Sequence, residues 1–295
     1  MCLGFAPEML AQNYDKLKPL ALLNRSVLDK SRRAIGRDEA TTRPAAVRMV
    51  SEADALMQHQ VPSPAAGGTK ALRDACSEAR LLGEAYYLTG QEKYAARVYD
   101  YVRPWLTDPA TRISPKLPAG TDFVAMSGII DMLDGYLLTD HSKSWNSSDD
   151  AAMRQWFDGL LEWLWSDGMM AVMKQLDPYQ GIGYDMLLTA SKTFFEREWL
   201  HEMKVYVDAT TKPRLDRILA ADGRMDIGTH NTVLDETEHL VTLVRMALMA
   251  EKAGSNLWLY ETKNGGSIRQ SIEWLSNLLL GDSSWVKGSD AGCIA

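Results

Sequence analysis

Cysteine is nearly missing from this chain: Cys2, Cys76 and Cys293 are all that 295 residues contain. Three scattered thiols exclude a disulfide framework and a cysteine-built metal cluster. Cys76 falls on the apolar side of a helical stripe, where an inert buried thiol is expected. Runs of like charge are also missing, and the net charge of −7 is spread along the chain. Without a concentrated basic face there is nothing to grip a phosphate backbone, so nucleic acid is not an expected partner. An anionic substrate stays open, because a local Arg or Lys in a cleft can oppose the global sign. No apolar stretch approaches a membrane span, and the opening MCLGFAPEML has neither a basic leader region nor a long apolar core. A cytoplasmic chain with no membrane partner is therefore expected. His230 and His239 stand nine apart and His201-Glu202 is a lone pair. Neither has the spacing of a zinc-protease helix, so no metal and no cofactor is expected. Alternating period-2 segments are almost absent, which argues against a substantial sheet.

What the sequence does have is helical period in a chain that is 46% apolar and 24% charged. Met153, Trp156, Phe157, Leu160, Leu161 and Leu164 recur in steps of three and four and share one stripe. Leu72, Ala75, Ala79, Leu82 and Tyr86 repeat the pattern, as do Leu240, Leu243, Val244 and Ala247. Helix chemistry fails at Pro62-Ser63-Pro64 with Gly67-Gly68, from Pro115 to Gly120, at Asp177-Pro178, at Asp222-Gly223 and at Gly265-Gly266. Thr89-Gly90 followed by Gln91-Glu92-Lys93 reads as a helix stop and an immediate restart, the mark of an antiparallel helical hairpin. The expected fold is all-α: one domain over residues 1–295, with N-terminal helices in 1–60 and a core in 70–280. Its irregular succession of hairpins suits an incomplete (α/α) toroid better than a four-helix bundle.

Three blocks then carry a resemblance. They are Ala85-Tyr-Tyr-Leu-Thr-Gly-Gln-Glu-Lys-Tyr-Ala95, Trp105-Leu-Thr-Asp-Pro-Ala-Thr-Arg-Ile-Ser-Pro115 and Ser127-Gly-Ile-Ile-Asp131. Two more follow in the same order, at Arg217-Ile218 to Asp222-Gly223 and at Asn256-Leu-Trp-Leu-Tyr260 through Gly265-Gly-Ser-Ile268. Together they resemble the alginate lyase superfamily of polysaccharide lyases. The resemblance implies that family's α/α toroid with a cleft across it, and a saccharide or small-molecule substrate.

It also implies a set of working residues that this chain departs from. The family uses an Asn-Asn-His-Gly run, an Arg and a Tyr to neutralise a uronate carboxylate, abstract the adjacent proton and protonate the leaving oxygen. Aligned on Gly181, the chain has Pro178, Tyr179 and Gln180 in place of Asn, Asn and His, while Tyr184 and Asp185 match the family's following Tyr-Asp pair. Counting back from Trp258 puts Asp235 or Glu236 at the Tyr position and Thr229 or His230 at the Arg position. Where the family carries a long Tyr-rich segment, only Pro62 to Thr69 stands here.

The residues expected to act follow from these positions. His230, in the polar stretch Gly228-Thr229-His230-Asn231-Thr232, is a candidate general base or acid, or else an exposed neighbour of a helix cap. Asp235 and Glu236 are candidate carboxylate bases if buried, or, with Glu238, simply acids favoured at a helix N-terminus. Tyr184 completes the catalytic candidates, with Tyr179, Gln180, Asp185 and Asn231 as substrate contacts. Tyr179 and Gln180 follow the Asp177-Pro178 break and are expected at a cleft mouth or in a solvated loop. The nine Trp and eleven Tyr could stack on sugars, yet most, including Trp156 and Trp163, are spaced as core. The preferred expectation is a proton-transfer enzyme performing elimination, isomerisation or cyclisation on a small polar or carbonyl-bearing molecule. The alternatives are a uronate polymer or oligomer lyase and a non-catalytic binding protein.

Overall fold

The computed structural model describes residues 18–37, 43–195, 200–226 and 233–281. Thirteen α-helices run through these residues: α1 Arg25–Arg37, α2 Arg43–Leu56, α3 Gly68–Thr89, α4 Glu92–Val102, α5 Phe123–Met126, α6 Ile129–Thr139, α7 Ser147–Leu164, α8 Asp167–Met173, α9 Pro178–Phe195, α10 Leu200–Tyr206, α11 Lys212–Ile218, α12 Val233–Lys252 and α13 Ile268–Leu279. Among the described residues there is no strand, only an isolated bridge between Leu219 and Met225. No described helix is long and apolar enough to cross a membrane. The all-α class expected from the periodicity is the class observed.

The chain forms two compact units. The first holds α1 to α7, apart from residues 122–124 and Leu164, and takes in residues 193–195 from the end of α9. Its hairpin α3–α4 turns where the sequence says it must: Gly90 is left-handed, with φ 68, and its N–H closes on the Tyr86 carbonyl at 2.7 Å. Helices α3 and α6 touch backbone to backbone. A Cβ on Gly83 would lie 2.7 Å from the Gly135 Cα, and one on Gly135 would lie 2.5 Å from the Ala79 carbonyl oxygen. The apolar stripe of α7 supplies Met153, Trp156, Phe157, Leu160 and Leu164 as buried residues, with Leu161 only partly covered. Trp156 is anchored as well as buried, its indole N–H donating to the Ile113 carbonyl at 2.8 Å. Cys76 is buried, as its place on the stripe requires.

The acidic groups Asp134, Asp131 and Glu84 lie buried in this unit. Asp134 is fully buried and accepts the backbone N–H groups of Ala21, Leu22 and Leu23 at 2.6, 2.9 and 2.6 Å, tying the segment before α1 to α6. Arg80 reaches Glu84 at 3.3 Å and Asp131 at 2.9 Å. Burial pushes the Glu84 carboxyl up to about 7, against the pull of Arg80 and with the help of Asp134 and Asp131.

The second unit holds residues 122–124, α8, most of α9, and α10 to α13. Its centre is α9. Asp177-Pro178 starts this helix: Pro178 takes the first helical position, where its missing N–H costs nothing, and the Asp177 carboxylate accepts the N–H groups of Tyr179 at 2.9 Å and Gln180 at 3.3 Å. Tyr179 and Gln180 therefore stand in the first turn of a helix, a correction to the solvated-loop reading, while the break expected at Asp177-Pro178 does fall between α8 and α9. Helix α10 passes into α11 through a π-helical turn, Val207–Thr211.

Candidate functional site

Three faces of α9 sort the expected site residues by what each one meets. One face carries Gln180, Gly183 and Tyr184. Gln180 Oε1 accepts the Phe123 N–H at 2.8 Å and its amide nitrogen donates to Asp122 at 3.2 Å. Gly183 lets the two backbones meet, since a Cβ there would stand 2.5 Å from the Phe123 carbonyl carbon. Tyr184 is fully buried, packs edge-on to Phe123 at 5.6 Å, and donates its hydroxyl to the Leu164 carbonyl. Burial, and then the charge of Asp185, raise its phenol further from ionisation. Tyr184 is thus fastened to the interior of its unit, while Gln180, half-exposed, is bonded to Asp122 and Phe123.

The second face carries Gly181 and Asp185. Asp185 is fully buried and accepts from Tyr206 at 2.7 Å, Thr211 at 2.9 Å and Arg214 Nε at 3.2 Å. Burial lifts its carboxyl to about 6, while Arg214, Tyr206 and Thr211 pull the other way. Both oxygens are spent on α10, the π-turn and α11, so Asp185 holds helices together and is not available as a substrate contact. Gly181 makes room for this pair: a Cβ there would sit 1.9 Å from Arg214 Nη1. Arg214 is a buried cation that sequence reasoning missed, because Lys212-Pro213-Arg214 looks like a solvated helix start.

The third face carries Tyr179 and turns to α12. Its ring meets the imidazole of His239 edge-to-face, centroids 4.5 Å apart, and its hydroxyl lies 2.9 Å from Thr242 Oγ1. Thr242 donates its own proton to the Glu238 carbonyl at 3.0 Å, so Tyr179 is the donor to Thr242. His239 is half-buried, and burial holds its imidazole below the ordinary value, opposed by Asp235 and Glu238. Asp235 stands one turn before it on the same helical face, half-buried, and Glu236 is buried.

The structure therefore brings Tyr179 together with α12, the helix of Asp235 and Glu236, and adds His239 and Thr242, which the sequence did not single out as catalytic. His230 and Asn231 lie outside the described residues. Among the described residues no group of three or more His, Cys, Asp or Glu side chains has the arrangement to hold a metal ion. A neutral imidazole beside a phenol and one turn from a carboxylate can take a proton and have the resulting charge stabilised.

Residues 24–169 match the family model for alginate lyase. That span takes in the N-terminal helices and stops before α9, whereas the five blocks read from the sequence run to residue 268. No curated protein matches the chain. A crystal structure of an alginate lyase from Bacteroides ovatus matches with a TM-score of 0.74 at 18% identity, covering 92% of this chain and 86% of that one. At that identity the likeness carries the fold, which is the α/α class expected from the succession of helical hairpins.

Proposed function

The chain is alginate-lyase-like in its fold and over residues 24–169, and from that premise we propose that it is an enzyme that moves a proton at a carbon next to a carbonyl or carboxylate. His239 is the general base, Asp235 stabilises the imidazolium that forms, and the Tyr179 ring holds the imidazole in place. The observation that carries this reading is the pairing of a half-buried imidazole, held neutral by burial, with Tyr179 at the first turn of α9. A base that is neutral at pH 7 and packed against an aromatic ring is what proton abstraction requires. The reaction classes are elimination, isomerisation and cyclisation on a small polar molecule, in a cytoplasmic setting. His230, in the chain just before α12, is a second imidazole to be tested beside it.

A uronate oligomer lyase is the second reading, favoured by the alginate lyase match itself. One experiment separates the two. The protein is incubated in deuterated buffer with alginate oligomers, glucuronate oligomers and a panel of small 2-oxo acids, and proton NMR follows exchange of the activated C–H. Exchange in a small molecule without chain cleavage supports the first reading. Unsaturated product absorbing in the near ultraviolet supports the second. Either reaction, left unchanged by His239→Gln, would overturn His239 as the base.

A further inference from the structure

A cavity lies elsewhere in the same unit, lined by none of the residues around His239. It opens between the segment 258–261 and the first turn of α13 and has a volume of about 380 Å³, at the small end of the range for small-molecule sites, roughly 300–1,000 Å³. We propose that it binds a neutral saccharide.

The walls are preformed. Tyr260 donates its hydroxyl to Asp216 at 2.7 Å, and the Lys263 N–H reaches the same carboxylate at 3.2 Å. The Gly265 N–H donates to the Thr262 carbonyl at 2.9 Å and the Thr262 N–H to the Gly266 carbonyl at 2.8 Å, and Gly266 lies so close to the Leu219 carbonyl oxygen that a Cβ would stand 2.5 Å from it. This scaffold holds Leu259 in solvent at 82% exposure instead of letting it collapse onto the core. Beside it, Trp258 is half-buried with its indole N–H already directed to Glu251 at 3.3 Å. What the indole offers a ligand is its ring surface.

Ring surface next to hydrogen-bonding groups is the pairing a pyranose needs, because a sugar has C–H faces and a rim of hydroxyls. Gln270, Arg269, Glu273 and Glu261 supply that rim with donors and acceptors. The charge decides between sugars. Two carboxylates face one guanidinium, and Arg269 is already paired with Glu273 at 3.1 Å. A uronate or a phosphate would have to break that pair against a net negative lining, whereas neutral hydroxyls use both partners as they stand.

Affinity electrophoresis of the full chain in native gels containing laminarin, galactomannan or alginate tests this. Retardation by at least one neutral polysaccharide is expected, with affinity on the order of tenfold weaker in Trp258→Ala. Trp165→Ala, at an exposed indole outside the cavity, should leave it unchanged. Leu259→Asp, at a position already in solvent, preserves folding and adds a third carboxylate, and it should weaken binding too. No retardation in either neutral gel, retardation by alginate alone, or neutral retardation that survives both Trp258→Ala and Leu259→Asp would overturn the proposal. The outcome is independent of the chemistry assigned to His239.

Discussion

Tyr179 and His239 pack edge-to-face with their ring planes 75° apart, which joins the first turn of α9 to the second turn of α12. Burial lowers the imidazole's affinity for a proton in the folded state. Its stabilising effect is therefore present above the ordinary histidine value of 6.5 and is lost as the pH falls through the lower folded value. Histidine-selective NMR should give a midpoint below 6.5 for His239. Asp235→Asn should move that midpoint lower still, since Asp235 favours the imidazolium. A midpoint at or above 6.5 would contradict the geometry.

Removing one partner of the Asp185–Arg214 pair should cost far more than removing both. Arg214→Ala leaves a buried carboxylate and is expected to lose about 3–5 kcal/mol in urea unfolding, while Asp185→Leu with Arg214→Met should recover much of that loss. A double variant as unstable as the sum of its parts would mean the pair is not coupled.

Glu84 should weaken the protein as the pH rises from 4.5 to about 7. Its folded value of about 7 lies above the unfolded value of 4.5, so the folded state holds the proton more tightly. Stability from this group is complete below pH 4.5 and declines as the pH rises to about 7. Asp185 adds a similar decline between 3.8 and about 6. Glu84→Gln should raise the melting temperature at pH 8 relative to the parent chain and show little gain at pH 4.5. A gain of equal size at both would assign the effect to something other than ionisation.

Gly135→Ala should destabilise the chain by about 2–3 kcal/mol despite the better helix propensity of alanine, because the new methyl meets the Ala79 carbonyl oxygen at 2.5 Å. Gly168→Ala, in α8 with open space around it, serves as the reference that should be neutral or stabilising. Thermal melts of the two variants check the contrast.

The helices were legible because one period dictates burial: five of the six stripe residues of α7 are covered, and Gly90 ends α3 where a left-handed residue was needed. The candidate site was much less legible. His239 follows Asp235 by one turn, a spacing that any solvated helix face uses, and the ring that covers it comes from Tyr179, at the start of a different helix. Arg214 was hidden for a related reason: its burial depends on the missing side chain of Gly181, and an absence two helices away leaves no pattern around the arginine itself. Asp177-Pro178 misled because proline stops one helix and begins another with equal chemistry.

The bonds from Ala21, Leu22 and Leu23 to Asp134 have a consequence for how the chain is made. The amides leave the ribosome more than a hundred residues before their acceptor, 113 positions separating Ala21 from Asp134. At ordinary rates of synthesis that interval lasts roughly 6 to 23 s. Leu20, Ala21 and Leu22, buried in the finished protein, wait through it without that acceptor, so this segment cannot complete its native backbone hydrogen bonds until α6 has emerged.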